Sequence, residues 1–163
     1  MIYNQTKIPK ELWRYGFRSS AATGCGWIAV YNALELLGLR AEPTELIRWF
    51  EHQLPLIHGN LGTTLWGPAK FFLGRGFRVE STSLVSDFDA LAQKSQVCIL
   101  YYRWRRGWRF GAHFVTLQHT ETGFVGYNTF TNSTGADLYG NSLEHYVKKQ
   151  KWFAAVLFGI SLP

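Results

Sequence analysis

The sequence has little of several things that would place it in a specialised class of protein. It contains one methionine and two cysteines, and two thiols are too few for a disulfide-built scaffold. No uncharged apolar run is long enough to cross a bilayer, and the best candidate, residues 152–160, is far too short. The first 17 residues carry charges and a proline where a signal peptide needs an unbroken apolar core. We therefore expect a soluble, unexported protein located in the cytoplasm.

The chain also lacks linkers, internal repeats and low-complexity stretches. Hydrophobic residues make up 47% of the sequence and aromatic residues 17%, with seven tryptophans among them. This composition gives ample apolar surface for a core, and 163 residues is the length of one domain. We therefore predict a single domain over residues 1–163. A disulfide is not expected, because an unexported protein rarely keeps one.

Acidic residues are fewer than basic ones, 11 against 17, and the net charge is +6. Part of the excess lies in the segment YYRWRRGWRF, which carries Arg103, Arg105, Arg106 and Arg109. Arginines interleaved with aromatic rings can bind single-stranded nucleic acid. The alternative is a hairpin that turns at Arg106 and Gly107 with its arginines in water. We favour this alternative, because a single short patch is weak evidence of a surface that binds nucleic acid. Neither nucleic acid nor a membrane is therefore the expected partner.

Hydrophobic periodicity divides the chain into a helical first half and a strand-rich second half. Helices are predicted at residues 24–37, from residue 43, after the N-cap candidates Thr63 and Thr64, at 86–94 and at 142–150. Strands are predicted at residues 77–82, 97–104, 108–119, 123–130 and 152–160. The first helix is apolar on nearly all sides, which is typical of a helix buried in the middle of a domain. This order predicts an α+β fold with a mostly antiparallel sheet.

The two cysteines lie in different settings. Cys98 lies in the apolar run QVCILYY, where a free thiol usually acts as a small buried hydrophobe. Cys25 lies in ATGCGW at the predicted start of the central helix, where the helix dipole favours the nucleophilic thiolate. Gly24 and Gly26 let a substrate approach and leave N–H groups open to a developing oxyanion. The spacing alone fits a buried structural cysteine equally well.

A histidine and an asparagine lie on the two strands of a predicted hairpin. His113 is in RFGAHFVTLQHT and Asn128 is in GFVGYNTF. With a two-residue loop at 120–121, residue 113 faces residue 128 directly; with a four-residue loop, 113 faces 130 and 128 is a diagonal neighbour on the same face. A three-residue loop would put Asn128 on the opposite face. In the first two cases the imidazole can take the proton of Cys25 while the Asn amide oxygen holds the ring.

No other constellation in the sequence points to chemistry. His52 and His58 lack the cysteine or acidic company of a zinc site, and His113 and His119 are about 20 Å apart along a strand. The sequence has no glycine-rich phosphate loop and no GxSxG motif. We therefore predict neither a metal nor a cofactor.

The ordered series of segments resembles the C39-like branch of the papain-like cysteine peptidases. The series runs from the Cys-Gly helix GCGWIAVYNALELLG, through LGTTLWGPAKFFLGRGF and ALAQKSQVCILYY, to the His strand GAHFVTLQ and the Asn strand GFVGYNTF. The resemblance covers residues 24–130. It implies a papain-like fold in which N-terminal helices, the central one beginning at Cys25, pack on a mostly antiparallel C-terminal sheet.

The resemblance also implies a role for each candidate residue. Cys25 would be the nucleophile, His113 the general base and acid, and Asn128 the orienting group. The family has a Gln or Asn six residues before the nucleophile, where this chain has Ser19, so Ser19 and the N–H of Gly26 are the predicted oxyanion donors. Three other residues are alternatives to the serine: Ser20, Gln5 and Asn4.

The implied activity is that of a cysteine-dependent hydrolase or acyltransferase, which acts on a peptide, an amide or a thioester through an acyl-Cys25 intermediate. The alternative is a catalytically inactive module of the same fold that binds a peptide or protein partner. The predicted substrate contacts are Trp27, which follows the Cys-Gly pair, and the arginines Arg105 and Arg106, which would select an anionic substrate.

Overall fold

The computed structural model describes residues 1–53, 62–150 and 152–163. Most of the predicted loop at residues 54–62, including His58, lies outside these ranges. None of the helices within them is long and apolar enough to cross a membrane.

Most of the helices precede the main sheet in sequence. They are α1 (Ser20–Thr23), α2 (Cys25–Leu36), α3 (Pro43–His52), α4 (Gly67–Leu73), α5 (Phe88–Lys94) and α6 (Leu143–Lys149), with 3₁₀ turns at Gln5–Lys7 and Val85–Asp87. Pro43 opens α3 in its first turn, where its missing N–H would have no helical partner. Gly38 follows α2 in the left-handed conformation, as the stop signal predicted. α4 begins at Gly67, and no side chain caps it, so the predicted capping by Thr63 or Thr64 is wrong.

The strands of the described ranges form two antiparallel sheets. β1 (Arg14–Tyr15) and β2 (Arg18–Ser19) make a short hairpin ahead of α1. The main sheet consists of β3 (Arg78–Thr82), β4 (Val97–Arg106), β5 (Arg109–Thr120), β6 (Gly123–Tyr127), β7 (Asp137–Gly140) and β8 (Trp152–Ser161) in the order β3-β8-β4-β5-β6-β7. All neighbours are antiparallel, as predicted. β7 was not predicted, and β8 departs from a simple meander because it lies between β3 and β4.

Both faces of the main sheet are buried under helices. One face packs on α2 and α4 through side chains that include Ile99, Phe114 and Phe158, and α3 packs against α2. The opposite face packs on α5 and α6 through side chains that include Leu100 and Val115. Successive residues of β4 point to opposite faces, so a continuous apolar run is needed to bury both of them.

The N-terminal segment runs across α2 and is tied to its middle. Asn32 is completely buried in α2, and its side chain accepts from the N–H of Ile2 and donates to the carbonyl oxygen of Ile2, both at 2.8 Å. A buried amide in the core of a helix needs such partners, because an unpaired one would destabilise the fold by about 1–3 kcal/mol. This contact brings the first residues of the chain to the same side of the molecule as Cys25.

Candidate active site

Cys25 is the first residue of α2, so its thiol lies at the helix N-terminus, as the sequence predicted. The residue as a whole is half-buried, but its sulfur lies in the protein interior. This burial raises the pKa of the Cys25 thiol to about 11. Backbone hydrogen bonds from Phe114, Gly26 and Cys25 itself lower this pKa by a smaller amount. The prediction of a thiolate stabilised by the helix is therefore corrected: the resting thiol is protonated near pH 7.

His113 lies on β5, in register with Tyr102 of β4. Its Nε2 is 2.6 Å from the backbone carbonyl oxygen of Asn128. A carbonyl oxygen can only accept, so Nε2 carries a proton and donates it, and in the neutral ring Nδ1 is the free base. Burial lowers the pKa of His113, and the bond to Asn128 raises it by less. The ring is therefore neutral near pH 7 and held in the tautomer that accepts a proton at Nδ1.

Asn128 holds His113 through its backbone and not through its side chain. The turn between β5 and β6 has two residues, Glu121 and Thr122, and Thr120 is opposite Gly123. Continued along the strands, this register would place residue 113 opposite residue 130, as predicted for a four-residue loop, so the predicted register is matched but the predicted loop length is not. β6 ends one residue before Asn128, which adopts a φ of 62° in the left-handed region. The predicted contact between the Asn amide oxygen and the imidazole is therefore corrected to one made by the main-chain carbonyl.

The side chain of Asn128 is bonded to Gln5. Its Oδ1 accepts from the backbone N–H of Gln5 at 2.8 Å, and its Nδ2 donates to Gln5 Oε1 at 2.9 Å. Gln5 Nε2 donates in turn to the carbonyl oxygen of Ala21 in α1, at 3.2 Å. The second N–H of this amide has no partner among the residues that the structure describes. The sequence offered Gln5 only as an alternative oxyanion donor, and its contact with Asn128, 123 positions away, was not predicted.

These groups line one cavity of about 250 Å³. Cys25, His113, Asn128 and Gln5 all face it, and no Asp, Glu, Lys or Arg is among its described lining residues. The structure thus brings the three predicted catalytic residues together and adds the glutamine. In the described ranges, no three His, Cys, Asp or Glu side chains come together as they would around a metal ion.

Gly26 is packed against Thr63, and this contact fixes the start of α2. A Cβ at position 26 would lie 2.2 Å from Thr63 Oγ1, which is itself 3.1 Å from the hydroxyl of Tyr15 on β1. The N–H of Gly26, in the first turn of α2, lowers the pKa of Cys25 and remains a predicted oxyanion donor. A glycine is required at position 26 by the close approach of Thr63 rather than by substrate entry.

Two of the predicted site residues do not line the cavity. Ser19 ends β2 and precedes α1, and it is not part of the cavity wall. Trp27 is completely buried; its Nε1 donates to Ser20 Oγ at 3.0 Å and its ring packs edge-on against Trp13. The prediction that Trp27 contacts substrate is therefore wrong, and the residue belongs to the core beneath the site.

Arg105 and Arg106 line a second, larger cavity of about 720 Å³. Both are exposed and lie at the end of β4. Tyr102, Trp104 and residues 129–131 line both cavities, so the second opens beside the first. The structure therefore places the two arginines next to the cavity of Cys25 and not inside it.

The arrangement of the helices and the sheet defines a fold class. Helices that present Cys25 pack on an antiparallel sheet that presents His113, and this is the papain-like cysteine peptidase fold in its C39-like form. The fold predicted from the resemblance is thereby confirmed.

One solved structure with this fold is the peptidase domain of ComA from Streptococcus, described as a bi-functional ABC transporter involved in a quorum-sensing pathway. The comparison has a TM-score of 0.56 and 13% sequence identity, and it covers 85% of this chain and 91% of that chain. An identity this low shows a shared fold and does not carry over an activity. No family model and no curated protein matches the sequence.

Proposed function

We propose that the protein is a cysteine-dependent hydrolase or acyltransferase that acts on a peptide, amide or thioester through an acyl-Cys25 intermediate. One observation carries the proposal: a thiol at a helix N-terminus and an imidazole with a free Nδ1 line the same small cavity. A nucleophile, a base and a group that orients the base are the parts that covalent acyl transfer needs.

The proton moves during the reaction and not before it. Cys25 Sγ attacks the carbonyl carbon as its proton passes to His113 Nδ1, since both groups are neutral at rest. The bond to the leaving amine or thiol then breaks, and the leaving group takes the proton from His113. Water or a second acceptor next attacks the acyl thioester, His113 removes its proton, and the thiol of Cys25 is restored. The carbonyl of Asn128 keeps the imidazole in the required tautomer throughout.

The oxyanion that forms in this step needs hydrogen-bond donors. The backbone N–H groups of Cys25 and Gly26 belong to the start of α2 and lower the pKa of the thiol, which supports them as backbone donors. Gln5 supplies a side-chain amide in the same cavity, with one N–H bonded to Ala21 and the other available. We propose Gln5 as the side-chain donor in place of Ser19, and loss of such a donor lowers the rate by a hundredfold or more in order of magnitude.

A peptide is the substrate class that we favour. The neighbour of known structure is a peptidase domain, which favours a peptide substrate. Both cysteines are free thiols, and a free thiol required for chemistry suits a reducing compartment, so we keep the cytoplasm as the proposed location.

The second candidate function is a catalytically inactive module that binds a peptide or protein. The observation that favours it is the raised pKa of Cys25, because a protonated thiol is a weak nucleophile unless a base removes its proton during the attack.

Trapping of the acyl-enzyme distinguishes the two functions. The protein is mixed with a panel of peptide N-acetylcysteamine thioesters, quenched in acid, and its peptides are mapped by mass spectrometry. We expect an acyl adduct on Cys25 that is absent from Cys25→Ala and reduced by about 10²–10⁴-fold in rate in His113→Ala. Cys98→Ala is the matched control and keeps the adduct, because that thiol is buried in the core of the sheet. Peptide binding by the wild-type protein without any adduct would establish the binding module instead.

A further inference from the structure

The larger cavity carries positive charge that no acidic side chain among the described residues neutralises. We call it the cationic groove; Arg105, Arg106 and Lys149 line it, and none of its described lining residues is acidic. No ion pair involves these three cations within the described ranges. Arg105 Nε donates to the carbonyl oxygen of Gly107 at 3.1 Å, and its two terminal nitrogens have no partner in the described part of the chain. Three cations with free donors and no counter-charge favour an anion.

Aromatic rings form the floor between this groove and the cavity of Cys25. Trp104 lines both spaces, and so does Tyr102. Trp104 lies across Gly111 of the neighbouring strand so closely that a Cβ there would be 2.6 Å from its ring. Tyr102 is stacked on Trp152 at a ring distance of 3.8 Å. A chain bound at the thiol can therefore continue over a fixed apolar floor into the groove.

The sheet register sets the spacing along β4 between Tyr102, which is beside His113, and Arg106 in the groove. Tyr102 is opposite His113, and Trp104 and Arg106 follow it on the same face of β4 at alternate positions. Arg106 is four residue steps along the strand from Tyr102, which is about 13 Å. An extended peptide covers that distance in three to four residues.

We propose that the cationic groove binds an anionic group, a carboxylate or phosphate, on the substrate of Cys25, three to four residues from the bond that is broken. This proposal rests on the proposed function, because it takes Cys25 to act on a substrate and names the charge that the same site selects. The groove has three cations and shares its aromatic floor with the cavity of Cys25, which suits one charged group on a peptide better than the long basic surface that a nucleic acid requires.

The test uses alkylating peptides, which report on the groove even if the thiol never turns over a substrate. Chloroacetyl-Gly-Gly-Asp-amide is compared with its Lys and Gly analogues, and with the isomer chloroacetyl-Asp-Gly-Gly-amide, which has the same charge in a different place. A second series, acetyl-Asp-Gly-Gly chloromethyl ketone and its Lys and Gly analogues, extends the chain in the opposite direction. The second-order rate constant for modification of Cys25 is measured by mass spectrometry.

We expect one of the two series to prefer its distal Asp over its Lys by about tenfold in about 0.01 M salt, where the Debye length is about 30 Å. The preference reverses in Arg105→Glu/Arg106→Glu. The matched variant Arg40→Glu/Arg48→Glu changes the net charge equally at two other exposed arginines and keeps the preference. The proximal-Asp isomer reacts like the Gly probe. In about 1 M salt the preference falls towards unity.

Equal rates for Asp, Lys and Gly in both series would overturn the proposal, and so would a preference that survives removal of the two arginines. Retention of single-stranded DNA that depends on those arginines, without discrimination among the peptides, would assign the groove to nucleic acid. Absence of an acyl adduct in the trapping experiment would be a separate result, because alkylation of Cys25 requires the thiol but no turnover of a substrate.

Discussion

At the scale of single residues, the site combines a protonated thiol with a neutral imidazole. The sequence predicted the positions of Cys25 and His113 because each sits at a recognisable place, a helix start and a strand. It could not predict the protonation of the thiol, because the helix dipole is visible in the sequence and the burial of the sulfur is not. The hydrogen bond between the side chains of Asn128 and Gln5 was equally hidden, since 123 positions separate the two residues.

The first prediction concerns the reactivity of that thiol. In a Cys98→Ala background, alkylation of Cys25 by iodoacetamide should keep rising beyond pH 9, because burial raises its pKa to about 11 against 9.0 for an ordinary thiol. Stopped-flow or quenched rates from pH 6 to 11 provide the measurement. The profile should return to that of an ordinary thiol in urea. His113→Ala should leave the folded profile nearly unchanged, since no ion pair exists at rest. A midpoint below about 8.5 would contradict the structure.

The second prediction concerns the amide pair of Gln5 and Asn128. Asn128→Gly removes the side chain without backbone strain, because glycine adopts a φ of 62° readily. Gln5→Ala removes the partner amide. The two losses should be coupled by about 0.5–1.5 kcal/mol in a double-mutant cycle followed by urea unfolding, since the two amides share a hydrogen bond of 2.9 Å. Strictly additive free energies of unfolding would show that the pair does not act together.

At the scale of secondary-structure elements, the sequence predicted the helices better than the order of the strands. α2 could be predicted because apolar residues run through it and Gly38 follows it. β7 has four residues and no apolar run, and only its pairing with β6 makes it a strand. The place of β8 between β3 and β4 depends on contacts between residues far apart in sequence, which periodicity does not report.

The third prediction concerns the packing of the helix start against the segment before α4. Gly26→Ala should destabilise the fold by about 1–3 kcal/mol, because the new methyl group would meet Thr63 Oγ1 at 2.2 Å and backbone must move to admit it. Urea unfolding measures the change. Gly135→Ala is the matched control, since a Cβ there meets nothing within 4 Å, and it should shift stability by less than about 0.5 kcal/mol. Equal stability of the two variants would mean that Thr63 does not hold the helix start.

At the scale of the whole molecule, the buried titratable groups should be neutral in the folded state. Burial lowers the pKa of His113 and raises the pKa of Cys25, Cys98, Tyr102 and Tyr139. The unfolded chain does not share these shifts, so the two states bind different numbers of protons on each side of neutrality.

The fourth prediction follows for stability against pH. Below about pH 6.5, His113 is protonated in the unfolded chain but stays neutral in the folded chain. The free energy of unfolding therefore falls as the pH falls. Above about pH 9 the unfolded chain loses thiol and then phenol protons that the folded chain keeps, so stability falls as the pH rises. Urea midpoints from pH 5 to 10 should trace a dome, with a shallower acid side in His113→Gln and a shallower alkaline side in Cys25→Ala. Stability that still increases at pH 10 would contradict the neutral core.

The position of β8 between β3 and β4 affects how the chain folds as it leaves the ribosome. β3 and β4 emerge well before β8, and each then offers an open edge of N–H and C=O groups where β8 will later lie between them. Strands in this condition pair readily with other chains, and contacts so distant in sequence form slowly. A nascent chain arrested before β8 should therefore need a chaperone, while release of those last strand residues should complete the sheet in one cooperative step.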